Sequence, residues 1–345
     1  MGLQIFWYIV VATFWTGFFI LEGFDLGVGA LHSFVGRTDL ERRVAINTIG
    51  PFWDANEVWL IVAAAGIFAA FPGWYATMFS AFYLALMLVI VCLIIRGVSF
   101  EWRGKFTSPA WRRTWTTTLT VGSILLPVLF GIVLGDLLHG LPINQQAEYT
   151  GGFVDLLTPY GIWVGATLLA ITLTHGAAYL TIRTTGSVRA RAEKLGTVFA
   201  LIAVAAVIGF AIWTRIETPG NVVIPSPLEL LAVLAAVAAA WALHDNHHGS
   251  AFTATTVTMA AVVISLFVAL YPNVMVSSTN SAYNLTVANT AAGNYALDVM
   301  TIVAVLLTPL VIAYQGWNYY VFRARITGPP VETPAPPSEP VQASG

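Results

Sequence analysis

"GPFWDANEVWLIVAAAGIFAAF" (Gly50–Phe71) decides how the rest of the chain is read. Its second half is small and apolar, as a membrane span is. Its first half carries Asp54 and Glu57 one helical turn apart, framed by Trp53 and Trp59, with Asn56 between them. Pro51 suits the first turn of a helix, where its missing N–H leaves no bond unmade. Acids at a helix N-terminus also complement the helix dipole, so each has a structural explanation open to it. A helix facing only lipid has little use for two acids, because a charge within a span costs roughly 2.5–3.5 kcal/mol on insertion scales and such groups turn toward protein or water.

The composition carries the same message along the whole chain. Hydrophobic residues make up 57% and charged residues 9%, against about a quarter charged in a typical soluble domain. The expected class is an all-α polytopic membrane protein. A net charge of −2 gives no reason to expect nucleic acid as a partner. The single cysteine, Cys92, lies in an apolar run, which excludes a disulfide framework and a cysteine-ligated metal centre. The N-terminal stretch has neither a basic region nor a small-residue cleavage site, and reads as a retained first span. Residues 326–345 are proline-rich and are expected to form a disordered cytoplasmic tail after a membrane domain over 1–325.

A span needs about 20 mostly apolar residues. Nine segments qualify: 5–32, 51–70, 76–96, 115–138, 159–182, 196–214, 226–243, 251–271 and 299–322. With the N-terminus outside, fourteen of the fifteen basic residues fall on the cytoplasmic side and only Arg215 lies outside, which sets the orientation as N-out and C-in. "EGFDLGVGAL" followed by "RTDLERR", and "HGAAYLTIRT" followed by "GSVRARAEKL", hint at a repeat of 1–140 and 155–273. That repeat predicts two parallel four-helix bundles plus the extra helix 299–322.

On this topology, Glu22 and Asp25 end the first span, Asp54 and Glu57 begin the second, and Arg96 ends the third, followed by Glu101 and Arg103. Asp54 lies about 5 Å beyond Pro51 along its helix. Three spans therefore bring acids and arginines to one depth on the cytoplasmic side. Carboxylates beside an arginine suit proton uptake, or the ion site of a transporter. His175 in "TLTHGAAY" sits deeper; it suits a proton relay, a metal ligand, or a hydrogen bond to a neighbouring helix. His244, His247 and His248 read as a solvated turn. Asp136, Glu148, Asp155 and Asp298 read as surface charges, and Trp74, Trp102, Trp111, Trp115, Trp213 and Trp317 as an interfacial belt. There is no Walker loop, dinucleotide fingerprint, Ser-His-Asp order or HExxH motif.

"NTIGPFWDANEVWL" (47–60), "LEGFDLGVGAL" (21–31) and "RGVSFEWRGK" (96–105) together resemble subunit II of the cytochrome bd-type quinol oxidases. The family usually has glycine where this chain has Ala55. The resemblance implies a subunit of a bacterial plasma-membrane oxidase that oxidises quinol and reduces oxygen to water. It implies haem b and haem d in the complex, held by a haem-bearing subunit I, with a small accessory membrane subunit and a structural quinone or lipid as further components. Asp54 is then the leading proton-path residue, with Asp25, Glu57 and Arg96 beside it. Glu22, Trp53, Asn56, Trp59, Glu101 and Arg103 support the site, and His175 is a secondary candidate. The chain alone is expected to be inactive. Two other functions fit the residues themselves: a proton-coupled carrier built on two bundles, and a purely structural subunit. A carrier would favour broken helices at the midplane, and no convincing mid-span glycine or proline break stands out.

Overall fold

The computed structural model describes residues 2–218 and 224–327. In chain order the helices are α1 (Gly2–Val35), α2 (Asp39–Asn47), α3 (Trp53–Ala70), α4 (Pro72–Ala81), α5 (Tyr83–Trp102), α6 (Pro109–His139), α7 (Pro159–Arg183), α8 (Gly186–Glu217), α9 (Pro227–His244), α10 (His248–Leu270), α11 (Val287–Thr290) and α12 (Asn294–Val321). A short antiparallel pair, β1 (Asn273–Met275) with β2 (Leu285–Thr286), closes the loop between α10 and α12. Nine helices among the described residues are long and apolar enough to cross a membrane: α1, α3, α5, α6, α7, α8, α9, α10 and α12. The protein is thus an all-α polytopic membrane protein. Of the expected proline-rich tail, residues 328–345 lie outside the described residues, as do residues 219–223 of the α8–α9 connection.

Each hydropathy segment is matched by one long helix, and most of these helices overrun the apolar stretch. The third segment differs most. Expected over 76–96, it is interrupted at Phe82 and continues to Trp102. The helix persists past Arg96 because Arg96, Ser99 and Arg103 fall on the buried face. Val89, Cys92, Arg96, Ser99 and Arg103 recur at three- and four-residue spacing, and all five are buried. Arg96 is therefore an interior residue of α5, not a terminal anchor. Pro127 and Pro309 lie within α6 and α12, and neither ends its helix.

Helices α1, α6, α7 and α10 pack against one another at the centre. On one side α3 lies on α1 and α5 on α6; on the other α8 lies on α7 and α9 on α10. Glycines set the closest crossings, since membrane helices associate by backbone approach at small residues. A Cβ on Gly27 of α1 would come within 2.2 Å of the Thr172 carbonyl on α7, and one on Gly176 within 2.4 Å of the Gly27 backbone. A Cβ on Gly131 of α6 would come within 2.4 Å of Gly165 Cα on α7. The α1–α7 crossing lies within a turn of Asp25, so it fixes the acid-bearing end of α1 in the middle of the molecule.

At the arginine-rich end, α2 begins with a capping box. The Thr38 hydroxyl accepts from the Glu41 N–H, and the Glu41 carboxylate accepts from the Thr38 N–H. Glu41 also pairs with Arg191 at 2.6 Å and accepts from the Ser187 hydroxyl at 2.5 Å, tying α2 to the start of α8. Those two partners hold the Glu41 carboxyl down at about 2.

Candidate functional site

Glu22 and Asp25 both point from α1 into the interior, where they are fully buried. Opposite them α5 delivers Arg96, also fully buried. Arg96 Nη1 lies 2.6 Å from Glu22 Oε1 and 3.0 Å from Glu57 Oε2 on α3, so one guanidinium ties three spans together. The Glu57 bond has hydrogen-bond geometry; the Glu22 contact is close but lies off the N–H direction, an ion pair held by charge. The guanidinium sits 5.2 Å above the Phe100 ring, and Phe100 packs against Trp53 at 4.8 Å. Trp53 thus closes the cluster without touching a carboxylate.

A second network begins one helical turn away. Asp25 Oδ2 accepts from Asn56 Nδ2 at 2.7 Å, while Asp25 Oδ1 is buried without a protein donor. Asn56 Oδ1 in turn accepts from Gln315 Nε2 at 2.9 Å and from the Tyr319 hydroxyl at 2.8 Å, both on α12. Trp59 donates to Gln315 Oε1 at 2.8 Å, and its indole fills the space left by Gly17. Phe52 stacks on Tyr319 at 4.5 Å and keeps that hydroxyl in place. The result is a polar layer across α1, α3 and α12, adjoining the Glu22–Arg96–Glu57 triad.

Not every expected residue joins this layer. Asp54 is exposed and has no hydrogen-bond or ion-pair partner among the described residues. The buried face of α3 runs through Asn56, Ala63, Gly66, Ile67 and Ala70, and a residue two positions away on a helix points nearly opposite. Glu101 is likewise exposed. Arg103 is buried at the C-terminal cap of α5, bonded to Asp39 at 2.5 Å and to the Thr116 hydroxyl at 2.9 Å, outside the carboxylate cluster. His175 is buried between α7, α10 and α1. Its Nδ1 lies 2.7 Å from the Thr255 hydroxyl, its Nε2 lies 3.1 Å from the Ile20 carbonyl, and its ring stacks on Phe252 at 4.6 Å. With Nε2–H donating to Ile20, Nδ1 is left as an acceptor for the Thr255 hydroxyl, whose one proton it shares with the Phe252 carbonyl at 2.9 Å. With both nitrogens engaged, His175 has none free to ligate a haem iron.

Two surface assignments are corrected. Asp136, read as a surface charge, is fully buried near the end of α6, where it accepts from the Thr158 hydroxyl at 2.5 Å. Gly161 makes the room, since a Cβ there would come within 2.3 Å of Asp136 Oδ1. Trp74, assigned to the interfacial belt, is 1% exposed and belongs to the core. Gln315 and Tyr319 were not singled out from sequence. Their signal was a polar pair at i, i+4 within an apolar span, in "YQGWNYY" (314–320).

The class defined by this fold and cluster is a polytopic helical membrane protein with carboxylates buried around Arg96 toward its arginine-rich end. The family model for cytochrome bd terminal oxidase subunit II matches residues 3–322, and the chain belongs to that family. It is 42% identical over 326 residues to a cytochrome bd ubiquinol oxidase subunit 2 of Bacillus subtilis (strain 168), covering 93% of this chain and 96% of that one. It is 34% identical over 368 residues to the cytochrome bd-I ubiquinol oxidase subunit 2 of Escherichia coli (strain K12), covering 96% and 97%. The fold resembles a chain of the bd oxidase from Geobacillus thermodenitrificans with a TM-score of 0.70 at 18% identity, over 93% of this chain and 99% of that one. The chain is therefore a membrane subunit of a bacterial respiratory oxidase, an oxidoreductase complex that contains haem and a partner subunit I. The carrier alternative falls with this membership.

Proposed function

We propose that the chain acts as subunit II of a quinol:oxygen oxidoreductase and that its buried carboxylates admit protons from the arginine-rich side for the reduction of oxygen to water. The observation that carries this reading is the pairing of Glu22 and Glu57, from two helices, with the single guanidinium of Arg96, and the burial of Asp25 one helical turn from Glu22. One guanidinium balances one carboxylate, which leaves the others able to take up and release protons. Haem b and haem d, held by subunit I, supply the redox chemistry when bound. This chain's residues deliver protons. Asp54 gathers them on the exposed face of α3, Glu57 receives them one turn further in, and Asp25 hands them on through its free Oδ1. Asn56, Gln315, Tyr319 and Trp59 orient Asp25, and water bridges the gaps that no side chain spans.

The exposed face of α3, with Asp54, Val58, Ile61 and Phe68, and the largely exposed α12 form the face that receives subunit I. An aspartate on a span is best accommodated by protein or water. The N-terminus is outside and the C-terminus cytoplasmic, a reading supported by the fourteen-to-one division of basic residues. Residues 1–140 and 155–273 are two related bundles, supported by the matched packing of α3 on α1 and of α8 on α7.

The test uses the assembled oxidase with Asp25→Asn and Asp54→Asn. Asparagine at 25 can still accept from Asn56, so the shape is kept while the titratable group is lost. We expect full haem content by optical spectrum and oxygen consumption reduced at least tenfold, in the range that removing a general acid–base group produces, about 10²–10⁴-fold at full effect. Wild-type turnover in both variants would remove these residues from any essential route. Loss of assembly would favour the alternative that Arg96 and its acids clamp three helices and move no protons.

A further inference from the structure

The corner formed by α2, the α5–α6 turn and the start of α6 holds more positive charge than its protein neighbours neutralise. Two adjoining cavities of about 240 and 410 Å³ share Asp39 and Arg112 as walls. Between them they are lined by Arg42, Arg43, Arg103, Arg112 and Arg113, five arginines against the one aspartate. Asp39 is already divided between Arg103 at 2.5 Å and Arg112 at 3.0 Å. Arg42 donates only to the Gly36 carbonyl, and Arg43 and Arg113 make no side-chain hydrogen bond or ion pair among the described residues. The first turn of α6 adds backbone donors, because Ser108 caps it without a side-chain bond.

A positive-inside bias explains arginines on this side, but it does not explain their closing around cavities. The depth of the corner identifies what reaches it. Trp102 and Phe106 are 48% and 57% exposed on the α5–α6 turn, and Trp102 stacks with Trp111, whose indole N–H donates to the Trp102 carbonyl at 2.8 Å. Amphipathic indoles gather at headgroup level. That level would set the cavities beside them among the lipid phosphates, with acyl chains free to run down the exposed apolar face of α5. Arginine forks match phosphate oxygens in geometry and charge, and basic pockets between spans on the cytoplasmic side suit anionic headgroups.

We infer that this corner is a binding site for the phosphodiester headgroup of an anionic phospholipid, held by Arg43 and Arg113 and by the terminal nitrogens of Arg42, whose Nε donates to the Gly36 carbonyl. The site lies apart from the Glu22–Arg96–Glu57 cluster and does not depend on any proton route. It would anchor α2 and the α5–α6 turn to the bilayer from the outside of the bundle.

The test is native mass spectrometry of the delipidated, assembled oxidase titrated with phosphatidylglycerol or phosphatidylcholine, with inorganic phosphate as a competitor. The variants are the double substitutions R43Q/R113Q and R43K/R113K, which leave the Asp39 pairs in place; thermal unfolding and haem content confirm that each is folded. Wild type should retain phosphatidylglycerol in preference to phosphatidylcholine. R43Q/R113Q should bind phosphatidylglycerol at least about tenfold more weakly, and the lysine pair should recover most of that loss. Equal binding of the two lipids, or of phosphatidylglycerol by wild type and R43Q/R113Q, would overturn the assignment. So would displacement of the lipid by millimolar phosphate, which would identify a site for the free anion.

Discussion

Replacing Arg96 by glutamine removes the one cation within reach of two carboxylates while keeping a polar side chain of similar reach. The cost can be worked from the contacts. At an effective dielectric of about 20, charges 2.6 and 3.0 Å apart attract with a gross energy of about 6 kcal/mol each. Desolvation of the buried groups takes back much of that sum. Breaking a buried pair by removing one partner is nevertheless destabilising by about 3–5 kcal/mol, because an uncompensated charge stays behind. Glu22, with no exposed side-chain surface, is that charge; Glu57 keeps 22% of its side chain exposed and suffers less. Arg96→Gln should therefore lower the thermal inactivation temperature of the purified oxidase by several degrees, with the α5 end of the subunit opening first to proteolysis. The double variant Glu22→Gln/Arg96→Gln should regain at least half of the loss, since it removes the stranded carboxylate along with its partner. Thermal inactivation and limited proteolysis measured on wild type, single and double variants decide the matter. A single variant as stable as wild type, or a double variant no better than the single, would refute the claim that charge compensation by Arg96 holds the three spans.

Three further outcomes are expected. Glu41 is depressed from 4.5 to about 2 by Arg191 and Ser187, so its contribution is present above pH about 4.5 and is lost as pH falls toward 2; hydrogen exchange over residues 37–47 should accelerate across that window, and Glu41→Gln should abolish the dependence. Single cysteines at Gln145 and Ser281 should react with an impermeant thiol reagent added outside intact cells while one at Ala190 should not, with native Cys92 silent because it is buried; labelling at Ala190 alone would reverse the topology. The chain expressed without subunit I and confirmed as folded should bind no stoichiometric haem, because His175 has both ring nitrogens engaged and leaves His32, with its Nε2 unpartnered, as a single buried candidate; full haem loading that vanishes in His32→Ala or His175→Ala would overturn the assignment of haem to the partner.

The spans were legible because lipid imposes one requirement on every helix, about 20 apolar residues with the backbone satisfied internally. The cluster was legible as a depth: Glu22, Asp25, Glu57 and Arg96 share one level once the direction of each span is known. What hydropathy does not carry is azimuth, the direction in which each residue leaves its helix. Asp54 and Asn56 lie in one motif, yet α3 turns Asn56 inward to Asp25 and Asp54 outward. Gln315 and Tyr319 enter the site from a helix more than 250 residues away in sequence, and only packing brings them to Asn56. Asp136 misled for the same reason, because the space that buries it comes from Gly161 on the next helix.

Proton delivery to the partner subunit is the central claim, and single-turnover proton uptake tests it most directly. The assembled oxidase, reconstituted in liposomes with its arginine-rich face toward a pH-sensitive dye, would be reduced by quinol and mixed with oxygen. Asp25→Asn should leave haem reduction by quinol at the wild-type rate and slow proton uptake from that face at least tenfold. Proton uptake at the wild-type rate, with haem content and assembly intact, would contradict a route through this cluster.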